Sequence, residues 1–151
     1  DINEQQYERM VDKVMSAVGR DVSLDGVVVG VLGLTFKAGT DDLRESPSLR
    51  VIDSLRARGA VVQAYDPTTV GELNHIQRER LAGLHLQGAA IDAVDGADVV
   101  VVLTEWPEFA GLDVDKVADV MRGDSVVDCR NLLDAARCRA AGLRYDGVGR
   151  S

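Results

Sequence analysis

Apolar residues recur along this chain in two alternating rhythms. Over residues 2–18, Met10, Val11, Val14, Met15 and Val18 fall on one side of an amphipathic helix, which Gly19 ends. A polar connector, 20–26, leads into Val27-Val-Val-Gly-Val-Leu32, the near-continuous apolar run of a strand buried on both faces. After a long polar loop a helix is predicted over 47–58. Ser46 stands as its N-cap and Pro47 at its first position, Leu49, Ile52 and Leu55 form its inner face, and Gly59 is its stop. A strand at 61–65, closed by Asp66-Pro67, precedes a polar helix at 70–82, a weak strand near 84–86 and a short helix at 91–94. Strand 98–103, helix 113–121, strand 125–128, helix 133–140 and a last strand at 143–145 complete the series. This alternation predicts an α/β fold: a Rossmann-like, mostly parallel sheet with helices on both faces, preceded by an N-terminal helix. The apolar stripe of that first helix has two readings. It packs on the domain behind it, or it belongs to a longer helix that pairs with another subunit.

Composition narrows the picture. The 151 residues suffice for one domain, and with 46% apolar but only 4% aromatic residues the core should be Val, Leu, Ile and Ala. A net charge of −8 argues against nucleic acid or an anionic membrane as partner. Any phosphate ligand must be met by a few local cations and backbone N–H groups. No apolar run approaches the ~20 residues that span a bilayer, and no signal peptide is expected from the opening residues. Cys129 and Cys138, nine positions apart and without CxxC spacing, fit a reducing cytoplasm. The chain begins at Asp1, and the expectation is a piece of a longer polypeptide.

Ligands of such sheets gather at the C-terminal ends of the strands. Four segments meet that description: the loop holding Lys37 and Arg44, Asp66-Pro67, Thr104-Glu-Trp-Pro-Glu-Phe109, and Asp128-Cys-Arg-Asn131. Lys37, Arg44 and Arg130 therefore converge on one edge, where arginine suits bidentate phosphate contact and lysine acts as a mobile charge. A single arginine after a strand is ordinarily ion-paired or solvated; three cations on one edge weigh against that. The first turn is not a dinucleotide fingerprint, since its glycines are Gly30 and Gly33 and Ser46 lies thirteen positions beyond Gly33. Asp66 stands where a ribose-binding acid would sit, yet Pro67 directly after it reads as turn chemistry. Asp41, Asp42 and Glu45 lack calcium-loop spacing, and no metal site is expected. His75 and His85 stand ten apart with no catalytic company, and Cys129 reads as a small buried residue despite its neighbour Arg130.

The run Gly33-Leu-Thr-Phe-Lys-Ala-Gly-Thr-Asp-Asp-Leu-Arg-Glu-Ser-Pro47 resembles the C-terminal-domain signature of the UDP-glucose/GDP-mannose dehydrogenases. Further segments follow in the same order: Gly59-Ala60 ahead of Ala64-Tyr-Asp-Pro67, Thr104-Glu-Trp106 with Phe109, Asp128-Cys-Arg130, and Tyr145-Asp-Gly-Val-Gly-Arg150. The resemblance implies that residues 1–19 end a central dimerisation helix, 20–26 are a linker and 27–151 form a UDP-binding domain. It implies a full-length enzyme that oxidises a sugar C6 alcohol to a carboxylate by two hydride transfers to NAD, through a thioester on a cysteine. That cysteine and the main NAD-binding domain would lie outside this chain, so no catalytic residue is expected here. By the same resemblance Phe36, Lys37 and Arg130 contact the nucleotide sugar, Arg44 reaches toward NAD, and Glu105 and Trp106 are mostly structural. Tyr65-Asp-Pro67, Thr104-Glu-Trp106 and Asp128-Cys-Arg130 favour the UDP-glucose branch, although the stretch from Phe36 to Pro47 alone fits the GDP-mannose branch equally well. The implied partners are a UDP-sugar, the other domains of the same polypeptide and a second copy in a homodimer. Two alternatives stand beside this. One is a free-standing binding or oligomerisation module; the other is a flavodoxin-like signalling domain using Asp66, for which the chain lacks the companion acids and lysine.

Overall fold

The computed structural model describes residues 4–34 and 46–147. Six strands form one sheet: β1 (Val28–Leu32), β2 (Val61–Tyr65), β3 (His85–Leu86), β4 (Val99–Val102), β5 (Ser125–Asp128) and β6 (Arg144–Gly147). Their order is β3-β2-β1-β4-β5-β6, and every pairing among the described residues is parallel. The chain winds outward from β1 through β2 to β3, then returns to the far side of β1. Between β1 and β4 the winding reverses, which opens a crevice beyond the strand ends.

Around the sheet lie α1 (Glu4–Ala17), α2 (Pro47–Ala57), α3 (His75–Arg80), α4 (Ala90–Val94), α5 (Pro107–Ala110), α6 (Val114–Val120) and α7 (Ala135–Ala140). Each strand sends alternate side chains to opposite faces. Val29, Val31, Val99, Val101 and Val127 join the core beneath α1 and α2, which Met10, Val11, Val14 and Met15 also enter. Leu32, Val100, Val102 and Val126 face the second core, with Ala93 and Val94 of α4, Phe109 of α5 and Val117 of α6. Two covered faces explain why the β4 run is apolar throughout and wholly buried. Gly30 has a packing role: a Cβ there would sit 2.6 Å from the Ala93 carbonyl oxygen, so its absence lets α4 lie against β1.

The apolar stripe of α1 packs on the chain's own domain. Lys13 Nζ pairs with Asp146 Oδ1 at 2.8 Å, and Ser125 Oγ and Arg144 Nη2 donate to the Ala17 carbonyl at 3.1 and 3.0 Å. Elsewhere the pattern differs from expectation in two places. Where one helix was expected over 70–82 there is only the shorter α3, preceded by a 3₁₀ turn at Pro67–Thr69 and a non-helical stretch at 70–74. A capping box fixes the later start: Asn74 Oδ1 accepts the Gln77 N–H at 2.8 Å and Gln77 Oε1 accepts the Asn74 N–H at 2.9 Å. The one-turn α5, begun by Pro107, was not foreseen within the segment 104–109.

Candidate functional site

The C-terminal ends of β1, β2, β4 and β5 lie side by side, and the ladder continues past them. Gly33 N–H donates to the Tyr65 carbonyl, Leu103 N–H to that of Leu32 and Cys129 N–H to that of Val102, each at 2.9 Å. At this edge the backbone has to leave the sheet in four directions. Two fully buried carboxylates take up the N–H groups that the departing chain would otherwise leave unpaired.

Asp66 is the first. Its Oδ1 accepts the Thr68 N–H at 2.9 Å and the Thr68 hydroxyl at 2.7 Å, which is the turn chemistry read from Asp66-Pro67. Its Oδ2 accepts the Leu34 N–H at 2.8 Å and the Trp106 indole N–H at 3.1 Å. Trp106 thus holds the β4 exit to the β2 exit. Asp128 is the second. Its Oδ1 accepts the Arg130 N–H at 3.1 Å, and its Oδ2 accepts the N–H groups of Leu132 and Leu133 and the Tyr145 hydroxyl, all at 2.8 Å. The chain after β5 is folded around this one side chain, with Asn131 in the left-handed region at φ 53°.

That turn sets Arg130 at the mouth of the crevice. Its guanidinium is about one-third exposed and faces Glu105 across the β4 and β5 ends, Nη2 to Oε1 being 3.2 Å. Of the residues expected to meet ligand, Arg130 is placed here; Phe36, Lys37 and Arg44 lie outside the described residues. The two residues flanking that segment are placed and buried. Ser46 was expected to cap α2, but its side chain makes no cap bond and its hydroxyl donates instead to the Leu34 carbonyl at 2.6 Å. At Gly33, with φ 104°, the backbone passes directly over Thr104, and a Cβ would fall 2.0 Å from Oγ1. The Thr104 hydroxyl is buried and has no hydrogen-bond partner among the described residues.

Neither cysteine is poised for chemistry. Burial, and secondarily Asp128, push the Cys129 thiol up to about 12, outweighing the opposite pull of Arg130. Burial likewise raises Cys138. The Tyr65 hydroxyl donates to both Glu108 oxygens, at 2.9 and 3.0 Å, and burial together with that carboxylate raises it to about 12. The residues also bear on NAD as a ligand of this domain's own crevice. A dinucleotide ribose needs free acceptors at the end of the second strand. Asp66 is wholly buried there with both oxygens engaged, so the site does not fit that group. Surface hollows of about 460 and 480 Å³ lie elsewhere, one between α1 and α2 and one at the opposite, N-terminal edge of the sheet. In the latter, Arg122 and Arg144 are already paired with Asp98 and Asp124. Among the described residues no cluster of acids, histidines and cysteines could hold a metal ion, and no helix is long and apolar enough to cross a membrane.

The model of the UDP-glucose/GDP-mannose dehydrogenase family, UDP binding domain, matches residues 30–135, from within β1 to the start of α7. The chain belongs to the UDP-glucose/GDP-mannose dehydrogenase family. The matched region of this family's UDP binding domain includes all four strand-end segments. Over 148 residues the chain is 38% identical to the UDP-glucose 6-dehydrogenase of Rickettsia bellii, covering 97% of this chain and 33% of that protein. Among solved structures, a UDP-glucose dehydrogenase from Pyrobaculum islandicum superposes with a TM-score of 0.77 at 32% identity, over 99% of this chain and 31% of the other. An NDP-N-acetyl-D-galactosaminuronic acid dehydrogenase from Methanosarcina mazei gives 0.78 at 25% identity, over 97% and 29%. The chain spans about a third of the length of these dehydrogenases.

Proposed function

We propose that this chain is the C-terminal, nucleotide-sugar-binding domain of a UDP-glucose 6-dehydrogenase. The crevice at the C-terminal sheet edge takes the nucleotide part of UDP-glucose. Arg130 meets the diphosphate from the end of β5, while Phe36 and Lys37 meet the nucleotide sugar from the segment after β1. The observation that carries the reading is the placement of Arg130. Its backbone is fixed by a buried carboxylate, while its guanidinium, one-third exposed beside Glu105, stands at the C-terminal ends of β4 and β5 in a domain whose family binds UDP. An arginine fork matches phosphate oxygens with paired charge-assisted hydrogen bonds.

In the full-length protein the sugar C6 alcohol becomes a carboxylate, and NAD supplies the hydride acceptor. Within this chain only Arg44 approaches that cofactor. The other partners are the N-terminal NAD-binding and central helical regions of the same polypeptide, with residues 1–19 as the end of the central helix. A second copy completes a homodimer. The place of action is the cytoplasm, in keeping with two free, buried cysteines. Alone, the chain binds nucleotide sugar and does not turn it over.

Calorimetric or NMR affinities for UDP-glucose and GDP-mannose test this. UDP-glucose should bind the tighter, and Arg130→Ala should weaken it roughly ten- to a hundredfold, the size of a charge-assisted contact. Tighter binding of GDP-mannose would move the chain to the other branch of the family. Binding indifferent to Arg130→Ala would overturn the assignment of the edge.

A further inference from the structure

Glu105 stands apart from the other acids at the ends of the strands. Asp66 and Asp128 take up backbone N–H groups, and Glu108 accepts the Tyr65 hydroxyl. At the N-terminal edge Asp98 Oδ2 accepts the Val28 N–H at 2.8 Å, while its partner Arg122 donates to the Gly26 carbonyl at 3.1 Å. Arg144, paired with Asp124, also donates to the Ala17 carbonyl and the Ser125 hydroxyl. Each of those pairs is built into the backbone and cannot be released without loss of structure.

The carboxylate of Glu105 has no such duty. Among the described residues it meets neither a backbone N–H nor a buried donor, and its partner is the Arg130 guanidinium, with Nη2 3.2 Å from Oε1. Both side chains reach solvent, Arg130 about one-third and Glu105 more than half exposed. The structural work at the β4 exit falls to the next residue, Trp106, through its indole N–H to Asp66. An ion pair this exposed contributes little to stability. A fork of charge-assisted hydrogen bonds from an arginine to phosphate is stronger, so a phosphate ligand can take Arg130 from Glu105 at small cost.

We propose, on the reading of this edge as the nucleotide-sugar site, that Glu105 is a stand-in anion: it occupies the Arg130 guanidinium until the nucleotide diphosphate displaces it. Glu105 thereby sets the affinity of the edge, because a ligand has to outcompete a tethered carboxylate for the same donors.

The test is a double-mutant cycle on this chain, with UDP as the probe and NMR titration as the readout. Glu105→Gln keeps the shape and removes the charge, and should tighten UDP about three- to fivefold, the range of an exposed ion pair. Arg130→Ala should weaken UDP at least about tenfold. In the Arg130→Ala background, Glu105→Gln should change binding by less than about twofold, because nothing is left to compete for. A carboxylate that merely repels the ligand gives the same gain in both backgrounds. One that supports Arg130 in the bound state gives a loss on Glu105→Gln. Either result, or no change on Glu105→Gln in the wild-type background, overturns the proposal. If wild type fails to bind UDP, or Arg130→Ala changes nothing, the reading of the edge itself falls and takes the stand-in role with it. Thermal unfolding establishes that each variant is folded, and Glu105→Ala takes the place of Glu105→Gln if that variant is not, with the same expected gain.

Discussion

At the scale of single residues, the strand ends are organised by acids whose work is done before any ligand arrives. Asp66 and Asp128 each accept several hydrogen bonds while wholly buried, and each gathers chain that would otherwise have to find water. Tyr65 and Glu108 make a third such arrangement, and it carries a pH signature. The unfolded chain releases a tyrosine proton near 10, whereas the folded chain holds that of Tyr65 to about 12. The folded state therefore binds the extra proton between those values, and stability falls as pH rises through that window. Below pH 10 this contribution is intact. Urea midpoints compared across the window should fall more steeply for wild type than for Tyr65→Phe. Equal slopes would mean that Tyr65 does not hold its proton as the buried pair requires.

At the scale of elements, the decisive contact is where β1 leaves the sheet over the end of β4. Gly33→Ala would place a Cβ on the Thr104 side chain and force an alanine into the left-handed region. Strain and overlap together predict a loss of about 2–4 kcal/mol. Thr104→Val tests the same contact from the other side. It replaces a buried hydroxyl that lacks a partner among the described residues with a methyl of similar shape, so stability should hold or rise by up to about 1 kcal/mol. Chemical denaturation measures both, and a strongly destabilised Thr104→Val would show that the hydroxyl has work to do. The elements that sequence made legible were those with an unbroken signal. The valine run of β4 declared burial on both faces. What sequence could not supply was register and side-chain direction. Only the β1–β2 alignment brings Asp66 under the Leu34 N–H, and only the β4–β5 alignment sets Glu105 against Arg130. Ser46 stands at the N-cap position that was read, but the partner of its hydroxyl, the Leu34 carbonyl rather than a helix N–H, is not legible in one dimension. The later start of α3 had a visible cue in Asn74 and Gln77, three apart, as a capping box requires.

At the scale of the whole molecule, the two edges of the sheet are chemically unlike. The N-terminal edge carries arginines already matched by Asp98 and Asp124, with Ser125 and Arg144 fastening the end of α1 beside them. The C-terminal edge gathers the switch point, the fixed turn of Arg130 and the anchored ends of the segment 35–45, on an otherwise acidic protein of net charge −8. The proposed nucleotide-diphosphate site is the C-terminal edge, where the family's UDP binding domain model covers all four strand-end segments. The most direct test is an amide-resolved NMR titration of this chain with UDP-glucose. The account predicts shifts concentrated at Gly33, Leu34, Glu105, Arg130 and Asn131. Shifts confined to Arg20, Arg122, Gly123 and Arg144, with the C-terminal edge unmoved, would contradict it.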